Sequence, residues 1–510
     1  MKRLVILLVC FGSVKFSYCQ TYQLSNTFGT NGVVETEDIT EPRKTIITPD
    51  NKILTIGFSL LESPNPDLIT HSFLVKLNQD GTTDDTFGNN GITITNVDFK
   101  DIPSDVVFQA NNKILLGGQY TLQNPSEGIF PNSPFVIRYN NDGSLDSSFG
   151  NNGILKITNF NSITSTDLCS VISLNDESII IGITGSNSTN FFGALMKLTS
   201  SGEIDTSFGT DGVLNLSDSN FKFNLWRLQL TNDNKLILCG YDRTNTSNSK
   251  TAVLKLNLDG SFDTTFANNG KLLTDVTTSN GEFEYLNKIN ISPDGNFICS
   301  GRAGSNFLMI KFNSIGQLDQ LFANDGIFRD FINIVDVEID TNEKIFLGGI
   351  ELQNNGPHFR IINLNENGSI NTDFNNNGFL VLDVTSQNDN LKDIAIDNDS
   401  SIIISGYSGM VGNYNVTHAK IELENLNVIT FEDNQNQLFP NPFNHELNLK
   451  YPETIKSISF YDALGKKINS SFVYNSTVIN TEFLKDGFYF CLITFINDST
   501  EMIKLFKRSK

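Results

Sequence analysis

Three stretches of the chain place side-chain oxygens at the spacing of a calcium loop: Asn78-x-Asp80-Gly81-x-x-Asp84, Asn140-x-Asp142-Gly143-x-x-Asp146 and Asn257-x-Asp259-Gly260-x-x-Asp263. Alternating oxygens suit a hard divalent cation, so calcium is one reading. In other copies Ser201 and Ile315 replace the middle ligand, and the bidentate Glu that completes such a loop never follows. Asn and Asp also bond their own backbone in turns, which accounts for the pattern without an ion. The four histidines (His71, His358, His418, His445) share no repeat position and no His-x-x-x-His spacing, and no nucleophile elbow, P-loop or dinucleotide fingerprint occurs. These residues lead us to expect no metal or cofactor and no His- or Ser-based catalytic site, and they leave open whether any activity is catalytic.

The elements that would position any site are repeated. The phrase from Asp84 to Gly91 (Asp-Asp-Thr-Phe-Gly-Asn-Asn-Gly) returns at Asp146 to Gly153, and its Phe recurs seven times, as Phe28, Phe87, Phe149, Phe208, Phe266, Phe322 and Phe374, at intervals of 52 to 62 residues. Two further phrases keep phase: a strand ending in Gly after a turn, as from Asp50 to Gly57, and an apolar run into Asn-x-Asp-Gly, as from Phe73 to Gly81. Each unit reads as four short strands, exemplified by residues 92–95, 105–108, 113–116 and 135–139, with Gly, Asn and Asp turns between them and no helical spacing. Such a period implies an all-β chain, a seven-bladed β-propeller of four-stranded blades over residues 20–424; an open solenoid is the alternative. One identical Phe per unit reads as a packing wedge against the neighbouring unit rather than as a ring of ligand-stacking residues.

These phrases resemble the delta-60 repeat family of bacterial surface proteins over residues 24–424. The resemblance implies propeller-like architecture and no fixed activity. After a polar linker, residues 425–437, a second domain spans residues 438–510 and reads as a small, immunoglobulin-like β-sandwich. It resembles the type A sorting domain of the type IX secretion system of Bacteroidota: Phe439-Pro440-Asn441-Pro442-Phe443 matches the opening signature, Tyr461-Asp462-Ala463-Leu464-Gly465-Lys466 the central strand and turn, Leu484-Lys485-Asp486-Gly487-Phe488-Tyr489 the late turn, and Lys504 the basic end. Leu492 departs from a position that is often basic. The resemblance implies export across the outer membrane, with the secretion machinery as a partner and release or surface attachment to follow.

The N-terminus agrees with export. Lys2 and Arg3, the apolar run to Val14 and the ending Ser17-Tyr18-Cys19 form a signal peptide, residues 1–19; lipidation at Cys19 is disfavoured by the bulky Tyr18. No later stretch is long enough for a membrane-spanning helix. Without that segment 33 Lys and Arg face 57 Asp and Glu, so nucleic acid is not an expected partner. The remaining cysteines, Cys169, Cys239, Cys299 and Cys491, show no disulfide spacing. Cys239 and Cys299 fall on opposite faces of equivalent strands and read as small core fillers.

Binding sites must differ from the scaffold that repeats. At the start of the second strand the seven units carry Lys44, Asp105, Ser170, Arg227, Lys288, Asp336 and Asp393, a candidate mixed-charge collar at the channel mouth if these positions share one end of the ring. The loops from Leu61 to Thr70 and Leu122 to Pro134 are a second candidate surface. Trp226, the single tryptophan, carries no signal by itself. Two functions remain open: a non-enzymatic surface or secreted module that binds glycan, protein or another cell, and an extracellular polymer hydrolase or lyase using Asp105, Asp336 and Asp393.

Overall fold

The computed structural model describes residues 21–508 except 38, 62–68, 123–131, 159–164, 187–190, 246–248, 277–282, 331–332, 354–355, 386–387, 399–400, 411–412, 424–437, 451, 464, 472–476 and 497–499. The expected signal peptide, the linker and most of the two candidate loops lie outside the described residues. The chain divides into two compact units, Met1–Glu424 and Asn425–Lys510.

The first unit is built from four-stranded antiparallel meanders in succession. The second meander runs Lys100–Phe108, Ile114–Thr121, Asn132–Tyr139 and Ile154–Lys156; the fourth runs Phe223–Leu230, Leu236–Asp242, Lys250–Leu256 and Lys271–Thr274. The first strands, from Glu41–Ile47 through Asn388–Asn398, neighbour one another in cyclic order, and the last returns to the first. This is a β-propeller.

The strand phase corrects the sequence reading. The run after each Phe-Gly turn is the fourth strand of the preceding sheet, not the first of its own: Ile92–Thr95 pairs with Ile69–Leu77 upstream of the turn. Strands consecutive in the chain usually neighbour one another in a sheet. Each sequence repeat therefore straddles two sheets. The last sheet, Asn388–Asn398, Ser401–Met410 and Asn413–Leu423, is completed by Val33–Thr36 from the other end of the chain.

The repeated phrases are the joints between sheets. All seven marker Phe rings are buried. The amide after Phe28 donates to Asp80 O at 2.7 Å, that after Phe87 to Asp142 O at 2.7 Å and that after Phe149 to Ser201 O at 3.0 Å. A Cβ on Gly202 would approach the Phe149 ring to 2.8 Å, and φ there is +89°, so glycine is required on both counts. Phe374 has no following Asn-x-Asp-Gly turn; Tyr22 takes its place, its ring centroid 4.6 Å away and its amide 2.6 Å from Asn375 Oδ1.

The two cysteines of equivalent strands are free core fillers, as expected. Cys239 and Cys299 do face opposite ways on equivalent strands, but neighbouring sheets of a propeller meet through opposite faces. Both are fully buried in one cluster with Ile237, Val253, Leu286 and Ile310, and burial pushes the Cys299 thiol up.

The second unit has a three-stranded sheet (Leu438–Phe439, Glu446–Leu449, Val478–Asn480) and a four-stranded sheet (Lys467–Ser471, Ile455–Asp462, Gly487–Phe495, Thr500–Lys507). They share a core that includes Phe443, Leu447, Ile458, Phe460, Cys491 and Leu505. Asn441, between Pro440 and Pro442, ties the opening signature to the last strand: its Nδ2 donates to Lys504 O and its Oδ1 accepts from Phe506 N, both at 2.9 Å. Lys466 N donates to Asp462 Oδ1 at 2.9 Å in the turn with Gly465 (φ +79°), and Tyr489 Oη donates to Lys485 O at 2.7 Å after Gly487.

Phe149→Ala should lower the stability of the propeller by about 3–5 kcal/mol in chemical denaturation, because it empties an inter-sheet joint. Loss below 1 kcal/mol would show that the ring is held elsewhere.

Candidate ligand site at the channel mouth

Among the described residues seven first strands each carry one residue more than the strand they pair with. The pairing slips between Pro42 and Lys44, Pro103 and Asp105, Leu168 and Ser170, Leu225 and Arg227, Leu286 and Lys288, Ile334 and Asp336, and Leu391 and Asp393. A β-bulge of this kind bends the strand and re-aims its side chains. It also explains the glycine that ends the second strand's motif. A Cβ on Gly57, Gly240 or Gly301 would lie 2.1, 1.9 and 1.9 Å from the carbonyl oxygens of Glu41, Asn224 and Tyr285. The extra residues are Arg43, Ser104, Cys169, Trp226, Asn287, Val335 and Lys392, and each precedes one member of the collar.

The structure brings the seven collar residues together around the axis. Asp105 Oδ1 lies 2.5 Å from Lys44 Nζ and 3.3 Å from Arg227 Nη1; its Oδ2 is 2.9 Å from Ser170 Oγ and accepts from Val171 N at 3.0 Å. Lys288 pairs with Asp336 and, at 2.8 Å, with Glu338. Asp336 Oδ2 accepts from Ile394 N at 3.0 Å, and Asp393 Oδ2 from Thr45 N at 2.7 Å. Each of the three aspartates thus caps a backbone amide one residue past the collar position of the next sheet. They are inter-sheet brackets, and all three are buried.

Their charges differ accordingly. Burial opposes ionisation of Asp105, yet Lys44 and Arg227 beside it hold its carboxyl below the usual range. Burial and then the neighbouring Asp336 push the Asp393 carboxyl well up, and burial raises Glu338. Next to this group the buried His418, whose Nε2 is 2.8 Å from Thr55 Oγ1, is pushed down to about 4 by burial.

Two cavities flank the collar. One of about 460 Å³ is lined by Lys44, Asp105, Lys288, Glu338 and Asp393. The other, about 550 Å³, lies on the bulge side and is walled by Arg43, Ser104, Cys169, Trp226 and Asn287, with Gln119, Asp167, Tyr241 and Arg227. Trp226 is 42% exposed, and its ring stacks on Tyr285 with centroids 5.4 Å apart and 21° between planes. Phe283, also exposed, extends the aromatic strip between Tyr285 and Tyr241. Sequence reasoning passed over Trp226. The available signal was its place immediately before Arg227, where the aligned units carry Arg43, Ser104 or Asn287.

In the calcium-like phrases the carboxylates bond within their own turns or to a lysine. Asp80 Oδ1 accepts from Thr82 N and Oγ1 at 2.9 and 2.6 Å, Asp142 and Asp259 do the same with Ser144 and Ser261, and Asp84 Oδ2 lies 2.8 Å from Lys52 Nζ. Among the described residues His358, Asp383 and Asp389 place ligand-type atoms within 4.8 Å of one another, a grouping invisible to spacing. The Asp389 carboxylate there already accepts from Val384 N, Thr385 Oγ1 and Ser408 Oγ, as a loop clamp does.

Fold and terminal unit together define an exported β-propeller protein. Residues 437–507 match the secretion system C-terminal sorting domain, and residues 109–149 and 231–266 match a β-propeller domain of unknown function. The sorting domain directs the chain through type IX secretion to the cell surface or the extracellular space. No curated protein sequence matches. Solved structures similar in fold include a protein of unknown function from Dyadobacter fermentans (12% identity, 77% of this chain and 99% of that one, TM-score 0.40) and the polysaccharide lyase Uly1 (9%, 79% and 99%, 0.47). An α-L-arabinanase of Penicillium chrysogenum complexed with arabinobiose is also similar (10%, 62% and 92%, 0.38). At these values the likeness says nothing about ligand or chemistry.

Asp105→Ala strands two cations and should cost about 3 kcal/mol. Asp393→Asn should behave differently. Because the native pKa of Asp393 is raised, its stabilisation is full below the unfolded carboxyl pKa and is lost as pH rises through the native value. Asparagine keeps an acceptor for Thr45 N and stays neutral, so the variant's Tm should fall less than that of the wild type between pH 4 and pH 7. Parallel curves would contradict the assignment.

Proposed function

We propose that the propeller is a non-catalytic glycan-binding module, acting as a surface or secreted adhesin once the sorting domain has carried it outside. The observation that supports this most is Trp226. It is a large aromatic side chain, half exposed, stacked on a second ring, on the wall of a cavity of about 550 Å³ whose other walls mix polar and apolar residues. Pyranose rings offer an apolar face for such a platform and hydroxyls for groups such as Gln119, Asn224 and Asn287. The bulges supply the variety: one freely chosen residue per unit stands on the rim of a fixed scaffold.

The polymer-cleaving alternative needs two carboxyl groups free to give and take a proton across a bound glycosidic bond. Asp105, Asp336 and Asp393 are instead committed to amides and cations of the ring, which speaks against it.

The mature chain on a glycan array should retain a small set of polysaccharides, and Trp226→Ala should weaken that binding by at least about tenfold, the scale of one lost hot-spot aromatic, at unchanged Tm. Reducing ends released from a bound polymer, with loss of that activity in Asp393→Asn, would favour the enzyme.

A further inference from the structure

We infer that the ligand is an acidic glycan, held with a sugar ring on Trp226 and a sugar carboxylate against Arg227 and Arg43. This rests on the glycan reading above and adds the charge of the ligand. The chain as a whole carries a formal net charge of −21, so it has no general attraction for anions. The cavity at the bulge side is an exception to that field. Its described lining includes two arginines, Arg43 and Arg227, and one carboxyl, Asp167. Burial pushes the Asp167 carboxyl up, and Asn132 Nδ2 donates to its Oδ1 at 2.9 Å, so one of its oxygens is already engaged.

In the collar beneath, Asp105 is ion-paired with both Lys44 and Arg227, so two cations share one carboxylate beside Trp226. Arg227 Nη1 is buried and donates no hydrogen bond among the described residues, although Asp105 Oδ1 is 3.3 Å away. That atom is turned to Asp105, while 24% of the Arg227 side chain stays exposed, so part of its fork is open to a ligand. A carboxylate suits it best, because the guanidinium fork matches two oxygens and is weakly hydrated. Arg43 lies over the Phe58 ring at 5.2 Å and 3.6 Å from Glu41, and it can contribute a second donor from the rim.

The test compares oligogalacturonate, its fully methyl-esterified form and a sulfated galactan oligomer of the same length, each titrated calorimetrically into the mature chain. We expect the free acid to bind at least tenfold tighter than the ester. The preference should shrink to within twofold in Arg227→Gln, while Trp226→Ala weakens acid and ester alike. Arg43→Gln, which touches no collar bond, gives the same readout if Arg227→Gln does not fold. Equal binding of acid and ester would overturn the inference and leave the glycan reading standing, as would binding confined to neutral glycans. Tighter binding of the sulfated oligomer than of the uronate would overturn the carboxylate. Failure of every glycan to bind would sink both.

Discussion

The bulge in the first strand drives a carbonyl onto the second strand, where six of the seven described pairs have a glycine and the third has Ile183. Gly57, Gly240 and Gly301 are placed where a Cβ would meet that carbonyl at about 2 Å. Everything distinctive about the mouth of the propeller depends on the bulge. The slip turns two consecutive side chains toward the axis instead of one. The deeper residue joins the collar and the outer one reaches the rim. A regular strand would send one of each pair into the inter-sheet core, where Trp226 could not be exposed nor Asp105 reach Val171 N.

The two rings that result divide the labour. In the collar, carboxylates bridge adjacent sheets through backbone amides, so its charge pattern is part of how the ring holds together. The rim contacts between sheets are of a different kind at each place: Trp226 stacks on Tyr285 and Lys392 pairs with Glu41. Arg43, Ser104, Trp226 and Asn287 differ from one another because no joint requires them to be alike. At the other end of the strands the identical Phe residues and Asn-x-Asp-Gly turns do the joining, and the N-terminal residues Tyr22–Leu24 and Val33–Thr36 supply the pieces that the last sheet lacks.

Much of this was legible in the sequence, for local reasons. The Phe period, the glycine turns and the strand runs are set by side chains within a few residues of one another. Alignment of the strand starts was enough to pick out Lys44, Asp105, Arg227 and the rest as one set. The phase of the sheets was not legible, because Val33–Thr36 meets its partner only when the ring closes. Nor was the meeting of Cys239 with Cys299, which depends on sheets packing face to opposite face. The bulge left a trace, a glycine inside a strand, but its consequence for Trp226 needed the geometry. The sorting signature of the second unit was readable because Asn441, Gly465 and Tyr489 each make a bond that other residues make poorly.

The function of the propeller turns on whether the rim presented by the bulges is where a ligand sits. The structure of the mature chain with a bound uronate oligomer measures this directly. A sugar ring lying over Trp226, with its carboxylate in hydrogen-bond contact with Arg227, is the predicted result. Saturating ligand bound on another surface, with the cavity beside Trp226 left to water, would contradict it.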